Sequence, residues 1–118
     1  MSPRGLPYFI EDSWVPRFLS LFSPIEIAAI TLGPFVFCRS AAPMKMRIHE
    51  SIHWQQWKEA GIILFPILYA MFWIVNLFRF KFNGSRAYFE IPFEKEAYAH
   101  ERDISYLFKR KWYAWLRK

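Results

Sequence analysis

An uncharged segment, residues 61–78, constrains the fold more than any other part of this 118-residue chain. Its sequence is GIILFPILYAMFWIVNLF, which is long enough for one membrane-spanning helix. His53 precedes the segment and several carboxylates follow it. A straight crossing of about 30 Å would separate these candidate metal ligands, whereas metal–ligand bonds are about 2 Å long. If the ligands share one ion, we expect a buried core helix here, with a membrane hairpin bent near Pro66 as the alternative.

Length and composition predict a single folded domain. A chain of 118 residues has room for one core, and 54% hydrophobic with 22% charged residues excludes a disordered or collagen-like polymer. Aromatic residues reach 21%, more than a small core can hide, which predicts a protein partner or a membrane surface. The single cysteine, Cys38, excludes a disulfide framework and a cysteine-pair metal site. A net charge of +6 favours anionic partners.

Residue patterns divide the chain into five regions of a mainly α fold with a short β element (α+β). We expect an irregular N-terminal arm over residues 1–24, whose prolines and acidic pair do not fit a secretory signal. A strand region follows over residues 25–39, where Gly33-Pro34 indicates an edge strand or a bend. Helical spacing predicts helices at 44–60, 61–80 and 92–116, the last ending in a basic aromatic tail.

The predicted helix at 44–60 carries the chemical motif of the chain. It contains the sequence His49-Glu50-Ser51-Ile52-His53. Residues four apart on a helix share one face, so both imidazoles can bind one tetrahedral Zn²⁺. Glu50 is rotated away from ligation but remains close enough to take a proton from a metal-activated water. Gln56 lies on the histidine face and could hydrogen-bond near the site. Only three histidines occur in the chain, and two of them fall in this motif.

A third protein ligand would leave one coordination position open for water. The downstream candidates are Glu90, Glu94, Glu96, His100, Glu101 and Asp103. Glu94 and Glu96 both fall in the first turns of the helix that follows Ile91, where carboxylates also stabilise the positive end of the helix dipole. Spacing alone leaves both residues open as the ligand.

The runs AITLGPFVFCRS, HESIHWQQWKEAG and PFEKEAY together resemble a family of small bacterial and phage proteins of the gluzin group of zinc metallopeptidases. The resemblance covers about residues 26–100 and implies a minimal zincin-like fold in which two histidines and a glutamate bind Zn²⁺. The Phe-Glu-x-x-Ala part of PFEKEAY is similar to the third-ligand helix of the membrane CAAX prenyl proteases, which implies Glu94, with Glu96 as the alternative ligand. Those proteases carry an Asp where this chain has Tyr98. Residues 27–38 would supply the strand that binds extended substrate.

Three hypotheses for function follow. The first is a zinc-dependent endopeptidase acting on peptide or protein substrates, with Glu50 as general base and Tyr98, His100 or Tyr88 as oxyanion donor. The second is a structural or assembly subunit of a particle or membrane complex that retains the fold and buries its aromatic surface against partners. The third is a peripheral module that uses the tail at 109–118 to bind anionic lipid or, as a weaker alternative, nucleic acid.

Overall fold

The computed structural model describes residues 6–21 and 28–116. It confirms the expected class, because the described residues are mainly helical with one small sheet. The strands are β1 (Tyr8–Ile10), β2 (Ala29–Leu32) and β3 (Phe35–Cys38). The helices are α1 (Val15–Ser20), α2 (Met44–Ala60), α3 (Leu64–Arg79), α4 (Gly84–Phe89), α5 (Pro92–His100) and α6 (Tyr106–Lys109), followed by a 3-10 turn, Ala114–Leu116.

The sheet has the order β1-β3-β2, with β3 in the centre. β2 and β3 form an antiparallel hairpin whose turn contains Gly33 at φ +63°, a conformation that favours glycine. β1 pairs in parallel with β3, so the arm predicted to be irregular contributes a strand and also α1. Cys38 of β3 is fully buried, and burial, reinforced by nearby carboxylates, raises its pKa to about 11. The predicted strand region is therefore a hairpin rather than one bent strand, and residues 22–27 lie outside the described part.

The motif helix α2 has the bounds that the sequence predicted, 44–60. It ends at Gly61, whose φ of +101° is accessible mainly to glycine and turns the chain sharply. Much of its buried surface is polar, including His49, His53 and Gln56, which face α5. Such a helix is stable in the core only if its polar atoms find partners there.

The apolar helix α3 is not the buried core helix that we expected. In it only Phe65 and Asn76 are buried, and much of its remaining apolar surface faces outwards. It is not a hairpin bent at Pro66 either, because Pro66 falls in the first turn, where a missing N–H breaks no helical hydrogen bond. Across residues 6–21 and 28–116, no single helix has the length and apolar character needed to cross a membrane. Taken together, α2 and α3 pass that test by length and composition, but they are bent by 109° where they meet.

The predicted helix at 92–116 is broken into α5, α6 and the 3-10 turn. Asp103 accepts hydrogen bonds from the backbone and hydroxyl of Ser105, a local pattern that competes with helix continuation. The chain then folds back, and the fully buried side chain of Arg110 pairs with Glu59 of α2 and Glu96 of α5. A buried ion pair of this kind requires both partners, so the C-terminal region is held against the end of α2.

Replacing Arg110 tests this anchoring. Arg110→Met leaves Glu59 and Glu96 buried without their cation, so we expect the free energy of unfolding to fall by about 3–5 kcal/mol. The measurement is denaturant unfolding followed by circular dichroism. The matched control is Lys111→Met, at the exposed neighbouring position, which should change stability by less than about 0.5 kcal/mol. Equal effects of the two substitutions would contradict a structural role for the ion pair.

Candidate metal centre

Two helices bring three ligand atoms together at the floor of a cleft. The Nε2 atoms of His49 and His53, one turn apart on α2, are 3.2 Å from each other. Oε1 of Glu94, from α5, is 3.2 Å from the first nitrogen and 3.1 Å from the second. These three atoms form a nearly equilateral triangle. Tetrahedral Zn²⁺ with bonds of about 2.0–2.1 Å requires ligand separations of about 3.3 Å, close to these values.

Hydrogen bonds at the opposite ring nitrogens fix how the histidines present their Nε2 atoms. Nδ1 of His49 is 2.9 Å from the carboxylate of Glu101, which can only accept while ionised. Nδ1 of His53 is 2.7 Å from Oε1 of Gln56, whose amide group donates to the carbonyl of Phe93 and is thereby oriented. Both outer contacts suit a ring that donates from Nδ1, and each ring presents its Nε2 atom to the α5 carboxylate. A proton on one imidazole, or a metal cation bound between the three atoms, satisfies this arrangement.

Glu94 and His53 stabilise each other's charged forms. Burial alone would raise the pKa of Glu94, but the charge of His53 and the hydrogen bonds of both histidines outweigh it and lower that pKa. Burial opposes a charge on His53, yet the charge and hydrogen bond of Glu94 raise the pKa of His53 to about 10. The hydroxyl of Tyr69 donates to Glu94 Oε2 at 2.7 Å, which orients the other oxygen towards the histidines.

Glu50 lies beside the triangle rather than in it. Its Oε2 is 3.7 Å from Nε2 of His49, and the hydroxyl of Thr31 donates to its Oε1 at 2.9 Å. The ligand atoms of His49, Glu50 and His53 all lie within 4.8 Å of one another. Burial raises the pKa of Glu50, although both histidines oppose this shift. A carboxyl group with a raised pKa at this position is suited to accept and release a proton.

The alternative ligand, Glu96, is engaged elsewhere. Its oxygens accept from Gln56, Tyr106 and Arg110, and the ion pair with Arg110 lowers its pKa despite burial. It is a structural partner of the C-terminal region, so its assignment as an alternative ligand is corrected. Gln56, in contrast, lies where the sequence placed it, with one amide group joining His53 to α5.

A cleft of about 550 Å³ opens over the triangle. Tyr88 and Tyr98 line it, and their hydroxyls are 3.1 Å apart. Tyr98 also packs edge-on against His49, with ring centroids 4.5 Å apart. His100 is not among the residues that line the cleft; it stacks on Tyr106 at 3.8 Å, so its expected role at the site is corrected.

Three contributors to the site were missed or given another role by sequence reasoning. Glu101 was considered as a ligand, whereas it accepts from the outer nitrogen of His49. Neither Tyr69 nor Thr31 is predicted from the sequence as a residue of this site. The only sequence signals for the last two are a phenol in an uncharged segment and a hydroxyl in an apolar strand.

Comparisons of this chain with protein-family models, with curated proteins and with solved structures give no match. The gluzin resemblance therefore stays a prediction from the motifs.

Metal analysis tests the triangle directly. Protein purified with zinc in the medium should contain about one Zn²⁺ per chain by plasma mass spectrometry. His49→Ala, His53→Ala and Glu94→Ala should each reduce this to less than about a tenth, because two ligands seldom hold zinc through purification. Glu90→Gln, a carboxylate substitution at the end of α4, should keep the metal. Folded Glu94→Ala protein with full zinc content would rule out this ligand set.

A second prediction concerns the group behind His49. Glu101→Gln weakens the acceptor at Nδ1, so zinc affinity should fall by about 10–100-fold while the three ligands remain. Competition with a chromophoric chelator measures the affinity. The control is Asp103→Asn, an acid two residues further on that pairs with Lys109, and its affinity should equal that of the wild type. An unchanged affinity in Glu101→Gln would show that the His49 ring is oriented without this contact.

Proposed function

We propose that this protein is a zinc-dependent metallopeptidase of the gluzin type. The observation that carries the proposal is the triangle of candidate ligand atoms from His49, His53 and Glu94, with separations that suit tetrahedral Zn²⁺. Two imidazoles and one carboxylate are a common donor set for catalytic zinc, and they leave a coordination position free on the cleft side. The outer hydrogen bonds from His49 and His53 are those that a zinc site requires of its histidines.

Zn²⁺ bound in such a site supplies Lewis acidity, which acidifies a water molecule and polarises a carbonyl group. The protein's own contribution to proton transfer comes from Glu50. Thr31 holds one of its carboxylate oxygens, and the other lies on the side of the triangle. Glu50 would accept the proton of the attacking water and pass it to the leaving amine. Its raised pKa brings this exchange closer to neutral pH.

The cleft offers a place for an extended peptide. β2 lies at one edge of the sheet described, and residues 28–32 line the cleft. An edge strand presents unpaired backbone groups to which a peptide can add as a further strand. The resemblance implies the same role for residues 27–38.

The Tyr88–Tyr98 pair is the candidate oxyanion donor. Burial raises the pKa of Tyr98 to about 12, so its hydroxyl keeps its proton at neutral pH. One hydroxyl of the pair donates to the other, which leaves one proton for a substrate oxygen in the cleft. Tyr69 is unsuited to this role because its proton is directed to Glu94.

Glu50→Gln tests catalysis apart from metal binding. The amide keeps the size of the side chain but cannot take a proton, so kcat/KM for an unfolded casein substrate should fall by about 10²–10⁴-fold. Zinc content should remain near one per chain, because Glu50 is not a ligand. Glu90→Gln again serves as the surface control and should retain both zinc and activity.

Two outcomes would contradict the proposal. Zinc-loaded wild-type protein that cleaves no peptide would favour the structural or assembly subunit. Equal hydrolysis by wild type and Glu50→Gln would show that the proton moves through another group.

A further inference from the structure

One side of α3 is a continuous apolar surface. It is formed by side chains three or four residues apart that are each about half exposed or more, and we call it the apolar face of α3: Ile63, Ile67, Met71, Ile74 and Phe78. Ile62, Leu64 and Val75 widen it. The helix has 16 residues and is about 24 Å long, so this stripe exceeds the scattered apolar residues found on ordinary surfaces.

The other two sides of α3 are already occupied. Phe65, Leu68 and Phe72 pack into the aromatic core with Phe93 of α5. Next to this core side, the wall of the cleft includes Ala70. The apolar face is therefore a third side of the helix, adjacent to the cleft wall. It contributes to neither the aromatic core nor the cleft.

Cationic side chains lie beyond both ends of the apolar face. Exposed Arg79 and Lys81 follow it at the C-terminal end of α3. At the other end, Tyr113 donates to the carboxylate and the carbonyl of Glu59, which holds residues 111–113, with the exposed Lys111, beside the α2–α3 bend. No charged residue occurs between these ends, over residues 61–78.

Burial of acidic groups makes the surface more cationic than the net charge of +6 indicates. Among the residues described, five glutamate carboxylates are buried, whereas Arg110 is the one buried side chain from a lysine or arginine. The buried carboxylates are those of Glu50, Glu59, Glu94, Glu96 and Glu101. A partner of this surface must therefore accept apolar side chains in the middle and supply negative charge at the edges.

We propose that the apolar face of α3 docks into one leaflet of an anionic lipid bilayer, with the helix lying along the interface. Acyl chains cover the apolar stripe, and the phosphates of the headgroups meet the cations at both ends. A second copy of the chain fits less well. Parallel or antiparallel pairing of two such faces brings cationic ends against cationic ends, which is unfavourable. Docking in this way places the cleft beside the headgroup layer.

Vesicle flotation tests the docking independently of catalysis. Full-length protein is mixed with vesicles of phosphatidylcholine alone or with 30% phosphatidylglycerol. Wild-type protein should float with the anionic vesicles at 0.1 M NaCl and bind less at 0.5 M, because salt screens the contribution of the cations. Equal recovery without vesicles and with anionic vesicles would overturn the proposal.

Matched double variants locate the contact. Ile67→Gln with Ile74→Gln removes two residues of the apolar face and should weaken partitioning into anionic vesicles by at least about 10-fold. The control is Ile104→Gln with Phe108→Gln, two similarly exposed apolar residues that line a separate groove, and it should bind like the wild type. Equal binding by the two double variants would refute the assigned surface.

Variants of charge and a sedimentation experiment complete the test. Arg79→Gln with Lys81→Gln should lower binding to anionic vesicles several-fold, whereas Lys95→Gln with Arg102→Gln, both outside α3, should not.

Analytical ultracentrifugation without lipid should show a monomer. A stable dimer that Ile67→Gln with Ile74→Gln dissociates would assign the face to a second copy and overturn the lipid proposal.

Discussion

The contact between α2 and α5 depends on one buried amide. Gln56 accepts from Nδ1 of His53 through its oxygen and donates from its nitrogen to the carbonyl of Phe93 and to Glu96. Leaving any of these groups unpaired inside the protein would cost about 1–3 kcal/mol. The amide therefore fixes where α5 lies along α2 and, with it, where Glu94 meets the histidines. Stability and the geometry of the candidate metal centre rest on the same contacts.

Two carboxylates of α5 serve opposite purposes because they point to different sides of the helix. Glu94 faces the imidazoles, while Glu96, two residues later, faces Arg110. The positive charge that each carboxylate needs comes from a different source. Arg110 supplies it for Glu96 from within the chain, whereas Glu94 faces two imidazoles and the proposed metal ion. This difference explains how two neighbouring glutamates can be buried together without competing for one partner.

Local patterns predicted some parts of this protein, and long-range contacts decided the rest. The motif helix has the expected bounds because its spacing and Gly61 are local signals. Glu94 could be chosen over Glu96 only by resemblance, since the discriminating partner, Arg110, is 14 residues further on. The same ion pair holds the C-terminal region where the chain has folded back after α5. β1 could not be foreseen because its pairing partner, β3, lies more than 20 residues away.

The buried sulfur of Cys38 gives this protein a natural reporter of its own opening. It is the single thiol of the chain, lies in the central strand β3 and has no exposed surface. Thiol reagents attack the thiolate, which is scarce at neutral pH when the pKa is about 11. Labelling can then proceed only through molecules whose sheet has transiently separated. The rate of alkylation would therefore report how often the sheet opens, without any engineered probe.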